Sequence, residues 1–381
     1  MIDFTLTDDQ AAIRAQAREF AEKEIRPVAW ECDETGEMPL DVMKKAWEIG
    51  LMNTHVPERF GGLAIDFLTG TILEEELAWG CSGIATSINC NGLATIPVQL
   101  AGKEEVQKEL FEHLTSEFVL ASFGLTEPGA GSDVAGMRTS AKKVGDKYVI
   151  NGSKCFITNA GYSQYFTVFA KTDPEAGHRG VSAFLVKKDD SITIDKKEDK
   201  MGQRASNTGT VTFNDTEVDA KYLLGEENGG FKVAMGTLDR TRPGVAAMAT
   251  GISQAAFDMA KAYSLERVQF GVPIAMHQAI QFLLADMATK IEASRLLTWQ
   301  SAKVLDDGKR NSLVSSHAKR FASDSAMEIT TDAVQVHGGY GYIKEYKVEK
   351  FMRDAKLMQL YEGTSQIQRM VIAKDILLGR G

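Results

Sequence analysis

The fold class is decided by the stretch Lys147-Tyr148-Val149-Ile150-Asn151-Gly152-Ser153-Lys154-Cys155-Phe156-Ile157. Its β-branched and aromatic residues predict strands, and Asn-Gly between two such runs is typical of a tight hairpin turn. Further β-type runs follow at 165–171, 181–186 and 208–213, with turn residues and no long helix between them. Strands at this spacing predict a small antiparallel barrel or sandwich rather than alternating βαβ units.

Helical patterns flank this β region on both sides. Before it, Thr7-Asp8-Asp9-Gln10 is a capping-box pattern followed by an apolar helical face. After it, a 3.6-residue period runs through 278–304, 314–336 and 348–361, with short connections typical of antiparallel packing. The sequence therefore predicts an α+β protein with an N-terminal all-α domain over 1–120, a middle β domain over 121–229 and a C-terminal four-helix bundle over 230–381.

Composition limits the function classes. The chain has 381 residues, a formal charge of -9, 44% hydrophobic and 25% charged residues, which is ordinary for a folded globular protein of two or three units. The negative charge disfavours a nucleic-acid partner. The sequence has no run of about 18 apolar residues, and the start Met1-Ile2-Asp3-Phe4 lacks signal-peptide features. We therefore expect a cytoplasmic protein with no integral membrane segment.

A metal site is not expected either. Cys32, Cys81, Cys90 and Cys155 are scattered, and the six histidines include no pair at helical ligand spacing. The cysteines are best interpreted as reduced, buried thiols.

A glycine-rich segment, Thr126-Glu127-Pro128-Gly129-Ala130-Gly131-Ser132-Asp133, follows an apolar run. Its glycines allow backbone N–H groups to approach a ligand, and Thr126 and Ser132 add hydroxyls. An ordinary surface turn has the same composition. It is not a dinucleotide fingerprint, because Val134 stands where G-x-G-x-x-G needs glycine or alanine.

Two more segments are ambiguous when taken alone. Gln335-Val336-His337-Gly338-Gly339 could bring backbone close to a cofactor or simply form a turn between helices. Asp239-Arg240-Thr241-Arg242-Pro243 brings two arginines to a predicted helix break, where they could bind phosphate or remain solvated.

The segment Tyr361-Glu362-Gly363-Thr364-Ser365-Gln366 joins two helical stretches. A carboxylate beside glycine at such a junction can face a cleft, where burial tunes its pKa for a general base. An isolated glutamate is more often a solvated surface residue. The spacing alone does not distinguish these readings.

Taken in order, these segments resemble the acyl-CoA dehydrogenase family over essentially the whole chain, particularly its medium- and short-chain members. Phe156-Ile157-Thr158-Asn159 and Met201-Gly202-Gln203-Arg204 strengthen the likeness. The resemblance implies one FAD per subunit, a homotetramer, and electron transfer to electron-transfer flavoprotein. It also implies α,β-dehydrogenation of an acyl-CoA thioester to the enoyl-CoA, with the β hydrogen leaving as hydride to flavin N5.

The resemblance also implies site residues. Glu362 matches the catalytic base that takes the α proton. The positions that line the flavin match Phe123, Leu125, Thr126, Ser132, Phe156 and Thr158. The other FAD contacts, partly across a subunit interface, match Arg267, Phe270, Gln278, Gln335, Val336, His337, Gly338, Gly339, Thr364 and Gln366. The positions that contact the thioester match Ser132, Asp239, Arg242 and Gly363.

Departures from the family pattern narrow the substrate. Thr241 stands where isovaleryl and long-chain members carry their base, and Ala85 where glutaryl-CoA dehydrogenases carry an arginine for a distal carboxylate. Asn89 and Asn91 align with the floor of the acyl pocket, where buried amides need partners. We expect a short, medium, alicyclic or partly polar acyl group that contacts these amides; alternatively, the amides bond only to backbone.

Two other functions are compatible with these residues. One is an acyl-CoA oxidase or an enoyl-CoA reductase that uses the same fold and base. The other, of a different class, is a flavin-binding partner protein without catalysis.

Overall fold

The computed structural model describes residues 4–379. Met1 to Asp3, which belong to the start that the sequence predicts to lack a signal peptide, lie outside the described residues. The N-terminal helices are α1 (Asp8–Phe20), α2 (Arg26–Thr35), α3 (Leu40–Glu48), α4 (Phe67–Ala101) and α5 (Glu104–Ser116), with a π-helical turn at Ala21–Ile25. The predicted capping box is present, since Gln10 N–H donates to Thr7 Oγ1 over 3.2 Å and Thr7 N–H donates to Gln10 Oε1 over 3.1 Å.

The middle of the chain forms a twisted sheet of eight strands. They are β1 (Ala121–Gly124), β2 (Ser140–Val144), β3 (Lys147–Thr158), β4 (Tyr165–Lys171), β5 (Val181–Lys187), β6 (Ile192–Lys197), β7 (Thr208–Asp219) and β8 (Leu223–Leu224). Their order is β6-β7-β3-β2-β4-β5-β8, with β1 alongside β4. The predicted β domain is present, but the pairings of β4 with β1 and with β2 are parallel, so the sheet is not purely antiparallel.

The predicted Asn-Gly hairpin is wrong. Asn151 and Gly152 lie inside the single strand β3, at a register shift opposite β7. Gly152 has φ 144°, and an added Cβ would lie 2.5 Å from Thr139 Oγ1. The position therefore requires glycine, because the strand forms a bulge there and passes close to Thr139. The turn between β2 and β3 contains Gly145 instead, at φ 64°. The amide of Asn151 exchanges two hydrogen bonds of 2.9 Å with Asp215, which fixes the bulge.

The C-terminal helices are α6 (Gly230–Glu266), α7 (Gln278–Asp306), α8 (Ser312–His337), α9 (Glu349–Met358) and α10 (Ser365–Leu378). A short β-ribbon, β9 (Val268–Gln269) and β10 (Val272–Pro273), joins α6 to α7. None of the helices in residues 4–379 is long and apolar enough to span a membrane.

The helix break predicted at Asp239 to Pro243 is also wrong, because these residues lie within α6. Proline has no N–H and leaves the carbonyl four residues earlier without its helical partner. Here that carbonyl belongs to Asp239, and the side-chain amide of Asn311 donates to it over 2.9 Å. The helix therefore continues through Pro243 because α8's N-cap residue supplies the missing hydrogen bond.

Helices α4 and α6 pack so closely that a Cβ on Gly251 would lie 2.1 Å from the carbonyl oxygen of Glu75. Their apolar faces, together with α8, form one continuous core with the first helices of the chain. Helix α4 bends at Cys81, which has extended φ and ψ of -163° and 119°. The bend and the close contact place the middle of α4 against the middle of α6, where the candidate site lies.

The Met201 to Arg204 motif joins the sheet to the helices. Gln203 N–H donates to the buried carboxylate of Asp354 over 2.5 Å, and Lys350 and Ser82 donate to the same carboxylate. A Cβ on Gly202 would lie 2.3 Å from the carbonyl oxygen of Arg353. This motif therefore has a structural role, which is to fix the β region against α9 and α4.

Candidate active site

Glu362 lies in the short connection between α9 and α10. Its backbone has φ 52°, and Gly363 follows at φ 91°. Thr364 begins α10, since its hydroxyl accepts a hydrogen bond of 3.2 Å from Ile367 N–H. Two successive residues with positive φ turn the chain away from the helix axis and direct the Glu362 side chain inward.

The Glu362 carboxylate faces α6. Thr241 Oγ1 donates to Glu362 Oε2 over 2.5 Å. Burial raises the pKa of this carboxyl group, while the Thr241 hydrogen bond and the positive charges of Arg242 and Lys319 lower it. The net direction is upward, which is what a base that accepts a carbon-bound proton near neutral pH requires.

Three side chains hold the backbone around this carboxylate. Lys319 Nζ donates to the Gly363 carbonyl over 2.7 Å, and Gln368 Nε2 donates to the same oxygen over 3.0 Å. Arg242 Nε donates to the Glu362 carbonyl over 3.4 Å. Within residues 4–379 the Glu362 N–H itself donates no hydrogen bond. This N–H is therefore available to a ligand.

A cavity of about 450 Å³ opens beside Glu362. Its walls come from the loop before α4, the middle of α4, α6, and the end of α7; they include His55, Thr71, Glu74, Asn89, Ile96, Thr241, Gly244, Met248, Leu305 and Glu362. A cavity of this size whose walls mix apolar and polar side chains, with a carboxylate on one wall, suits an acyl chain with a reactive head.

The predicted thioester residues on α6 form a fixed pair. Arg242 is buried, and its Nη1 donates to Asp239 Oδ1 over 2.7 Å. Ser312 donates to the other carboxylate oxygen over 2.5 Å. Because Asn311 also binds the Asp239 carbonyl, the start of α8 positions this pair. The structure therefore places Asp239 and Arg242 next to Glu362 and Gly363, as the sequence predicted, without a helix break.

The two asparagines predicted for the acyl pocket have different environments. Asn89 lines the cavity, and within residues 4–379 the hydrogen-bond partner of its amide is the sulfur of Met248, at 3.5 Å. Asn91 is fully buried, and its amide donates to Val119 O over 2.8 Å and accepts from Ala121 N over 2.8 Å. The substrate contact predicted for Asn91 is therefore corrected to a structural role, because its hydrogen bonds to backbone tie α4 to β1.

The residues predicted to line the flavin gather at one edge of the sheet. Phe123 lies in β1, Leu125 and Thr126 follow it, and β3 runs beside them, with Cys155 N–H donating to Thr126 O over 2.9 Å. Phe156 occupies a bulge in β3 at φ 59° and is 66% exposed. Gly129 and Gly131 face open space, because a Cβ on either would contact nothing within 4 Å. An uncovered aromatic ring beside an open glycine loop fits a flat ring system bound from outside.

A second cavity, of about 400 Å³, brings together several of the other predicted FAD residues. Arg267 and the segment 336–339 line it, with Tyr263 stacked on the His337 ring at 4.3 Å between centroids. Phe270 is 95% exposed nearby at φ 54°, and Gln278 begins α7. Gln335 and Gln366 are exposed and do not line this cavity, and Ser132 is exposed in the glycine loop. One protomer therefore carries two separate groups of predicted FAD residues.

Family models match nearly the whole chain in the order of its structural units. The N-terminal domain of acyl-CoA dehydrogenases matches residues 7–117, the middle domain 122–216 and the C-terminal domain 228–377. The chain belongs to the acyl-CoA dehydrogenase family.

Individual acyl-CoA dehydrogenases are similar over their full length. The probable acyl-CoA dehydrogenase FadE25 of Mycobacterium tuberculosis is 44% identical over 98% of this chain and 97% of its own. The butyryl-CoA dehydrogenase structure from Megasphaera elsdenii is 42% identical, with a TM-score of 0.96 over 99% of this chain and 100% of that one. A chain solved in a study of the electron transferring flavoprotein of Acidaminococcus fermentans is 44% identical, with a TM-score of 0.96 over 99% of this chain and 100% of that one.

Membership confirms the predicted fold, the oxidoreductase class and FAD as the cofactor. The residues present fit FAD: the exposed Phe156, the open Gly129 and Gly131, and the cavity beside Arg267 provide an apolar face, backbone donors and a guanidinium.

Three residues near the site were missed by the sequence reasoning. Lys319 and Gln368 lie within α8 and α10, and no local sequence pattern distinguishes them from other polar residues of these helices. Glu74 belongs to a run of three acidic residues in the apolar middle of α4. Acidic residues at core positions of a helix are unusual, and that signal could have identified them.

Proposed function

We propose that this acyl-CoA dehydrogenase removes the α proton of an acyl-CoA thioester with Glu362 and delivers the β hydrogen to FAD, forming the enoyl-CoA. The observation that carries this proposal is the Glu362 carboxylate, held by Thr241 at 2.5 Å and lining a cavity of about 450 Å³. When bound, FAD supplies the two-electron acceptor for the β hydrogen.

The chain's own residues account for the proton transfer. Burial keeps the pKa of Glu362 raised, so the carboxylate is a stronger base than a solvated one. The free Glu362 N–H can donate to the thioester carbonyl and thereby increase the acidity of the α hydrogen. Lys319, Gln368 and Arg242 hold the two neighbouring carbonyls, so donor and base keep a fixed relation.

We assign the roles of the other residues on the same basis. Asp239, Arg242, Gly363 and Ser132 contact the thioester. The flavin lies against Phe123, Leu125, Thr126, Phe156 and Thr158. The second group of FAD residues lines a different cavity from the one that Glu362 lines, so we assign it to the FAD of another protomer in a homotetramer. We place the domain boundaries at 1–120, 121–229 and 230–381.

Electron-transfer flavoprotein is the proposed acceptor of the electrons from reduced FAD. The similar chain from the study of the electron transferring flavoprotein of Acidaminococcus fermentans supports this proposal.

Anaerobic titration of the FAD-loaded protein with a panel of acyl-CoA thioesters tests this function. We expect the visible absorption of oxidised flavin to bleach, and the enoyl-CoA to form in equal amount. No bleaching with any thioester would overturn the proposal and favour a non-catalytic flavin protein. Faster reoxidation of the reduced flavin by oxygen than by electron-transfer flavoprotein would indicate an acyl-CoA oxidase. Net turnover only when the enoyl-CoA is the substrate would indicate an enoyl-CoA reductase.

A further inference from the structure

Glu74 is a partly buried acidic residue that the proposed dehydrogenation does not use. Its two neighbours are both paired: Glu75 binds Arg295 over 2.7 Å and Glu76 binds Arg14 over 2.7 Å. Among residues 4–379, Glu74 has neither a hydrogen-bond partner nor an ion-pair partner. The three successive carboxyl groups of α4 thus differ, and the unpaired one lines the acyl cavity.

The position of Glu74 relative to the reaction is fixed by α6. Its carboxyl group packs against Gly244, where an added Cβ would lie 2.4 Å from Glu74 Oε2. Gly244 is three residues after Thr241, which holds Glu362. Residues three apart lie on the same helix face, about 5–6 Å from each other. The two carboxyl groups therefore contact the same face of α6 one turn apart.

This environment makes Glu74 a hydrogen-bond donor. Burial, followed by repulsion from Glu362, raises the pKa of Glu74 to about 8. A neutral carboxyl group has one O–H to donate. A donor shielded from water is destabilising when it has no acceptor, and a plain alkyl chain in the cavity provides no acceptor.

We propose that Glu74 determines acyl specificity by donating a hydrogen bond to an oxygen atom of the acyl group beyond its β carbon, in an open chain or in a ring. The inference rests on the proposed function, because it takes the cavity beside Glu362 to hold the acyl chain. Asn89 supplies a second polar group on the same cavity, and in the described part of the chain its amide has only the Met248 sulfur, a weak acceptor, as its partner. The substrate class is therefore an oxygen-bearing acyl-CoA rather than a fatty acyl-CoA.

A structural role for Glu74 makes a different prediction. If the carboxyl group served folding, its removal would destabilise the protein. An unpaired buried carboxyl group contributes little to stability, so Glu74→Val is expected to keep or raise the thermal midpoint. Thermal stability and substrate preference therefore separate the two roles.

Matched thioesters that differ by one oxygen in place of a methylene test the proposal. The pairs are 4-methoxybutyryl-CoA with hexanoyl-CoA, and tetrahydropyran-4-carbonyl-CoA with cyclohexanecarbonyl-CoA. Flavin reduction is followed at pH 7 in the FAD-loaded wild type, Glu74→Gln and Glu74→Val. Glu75→Gln is the matched control, because Glu75 faces Arg295 rather than the cavity.

We expect the wild type to prefer the oxygen-bearing member of at least one pair by about tenfold or more in kcat/KM. Glu74→Gln keeps a donor and should retain most of that preference, whereas Glu74→Val should lose it. The control should leave the ratio unchanged. A wild-type ratio near or below one in both pairs, or an unchanged ratio in Glu74→Val, overturns the inference while leaving dehydrogenation intact. No flavin reduction by any of the four thioesters overturns the proposed function as well.

Discussion

The hydroxyl of Thr241 donates to the Glu362 carboxylate across 2.5 Å, and this contact connects the middle of α6 to the connection between α9 and α10. A hydrogen bond to the ionised form lowers the pKa of a carboxyl group, whereas burial raises it. Thr241 thus offsets part of the burial effect on Glu362. The balance sets the pH range in which the base is ionised.

Thr241→Val should therefore shift the acidic limb of the kcat/KM profile upward. Without the hydroxyl, the pKa of Glu362 rises further, because the hydrogen bond that favours the ionised form is lost. Thr241→Ser retains a hydroxyl and serves as the control, with a profile close to wild type. An unchanged limb in the valine variant would show that the hydrogen bond does not act on the ionised base.

Glu362→Gln should abolish proton abstraction while leaving binding intact. The amide keeps the shape and can accept the Thr241 hydrogen bond, but it cannot take a proton. We expect flavin reduction by a reactive acyl-CoA to fall by at least about 10³-fold. The bound ligand should still perturb the flavin spectrum with little change in Kd, and near-normal reduction would mean that the base lies elsewhere.

Gly251→Ala should destabilise the protein more than Gly244→Ala. A Cβ at Gly251 meets the backbone carbonyl of Glu75 at 2.1 Å, which cannot move without displacing α4. A Cβ at Gly244 meets the end of the Glu74 side chain at 2.4 Å, which can rotate. Overpacking against fixed atoms costs about 1–3 kcal/mol or more, and calorimetry should show the larger fall in Tm for Gly251→Ala. Equal falls would contradict the close approach of α4 and α6.

Glu74 should make stability depend on pH. Its pKa is raised from 4.5 to about 8 in the folded protein, so between these values the unfolded chain has lost a proton that the folded chain keeps. Wild-type stability therefore falls as pH rises from 4.5 to 8, relative to Glu74→Gln, which has no charge to gain. Each pH unit between these two values contributes about 1.4 kcal/mol, so we expect a difference of about 4 kcal/mol by pH 8, measured as diverging Tm values of the FAD-loaded proteins. Parallel Tm curves would mean that Glu74 is ionised throughout this range.

The positions of the helices were largely predictable from the sequence. The 278–304 and 314–336 periods correspond to α7 and α8, and the Thr7 to Gln10 pattern gives the capping box that begins α1. These signals are local, because an apolar stripe or a cap depends on residues within one or two turns of each other. The family resemblance added Glu362, whose own neighbours did not distinguish it from a surface residue.

Tertiary contacts decided the features that the sequence reasoning got wrong or missed. Asn151 and Gly152 form a bulge rather than a hairpin turn because β7 and Thr139 lie against them. Pro243 lies inside α6 because the Asn311 amide donates a hydrogen bond to the Asp239 carbonyl. Asn91 and Asn89, two residues apart on α4, received different roles because one faces β1 and the other the cavity. Local sequence determined which residues form the helices, but only tertiary packing decided the environments of the three carboxyl groups. Contacts of α4 with α7 and α1 pair Glu75 with Arg295 and Glu76 with Arg14, whereas Glu74 lines the acyl cavity without a partner among residues 4–379. Partners distant in sequence set the energy of a buried polar group, and no local pattern contains them.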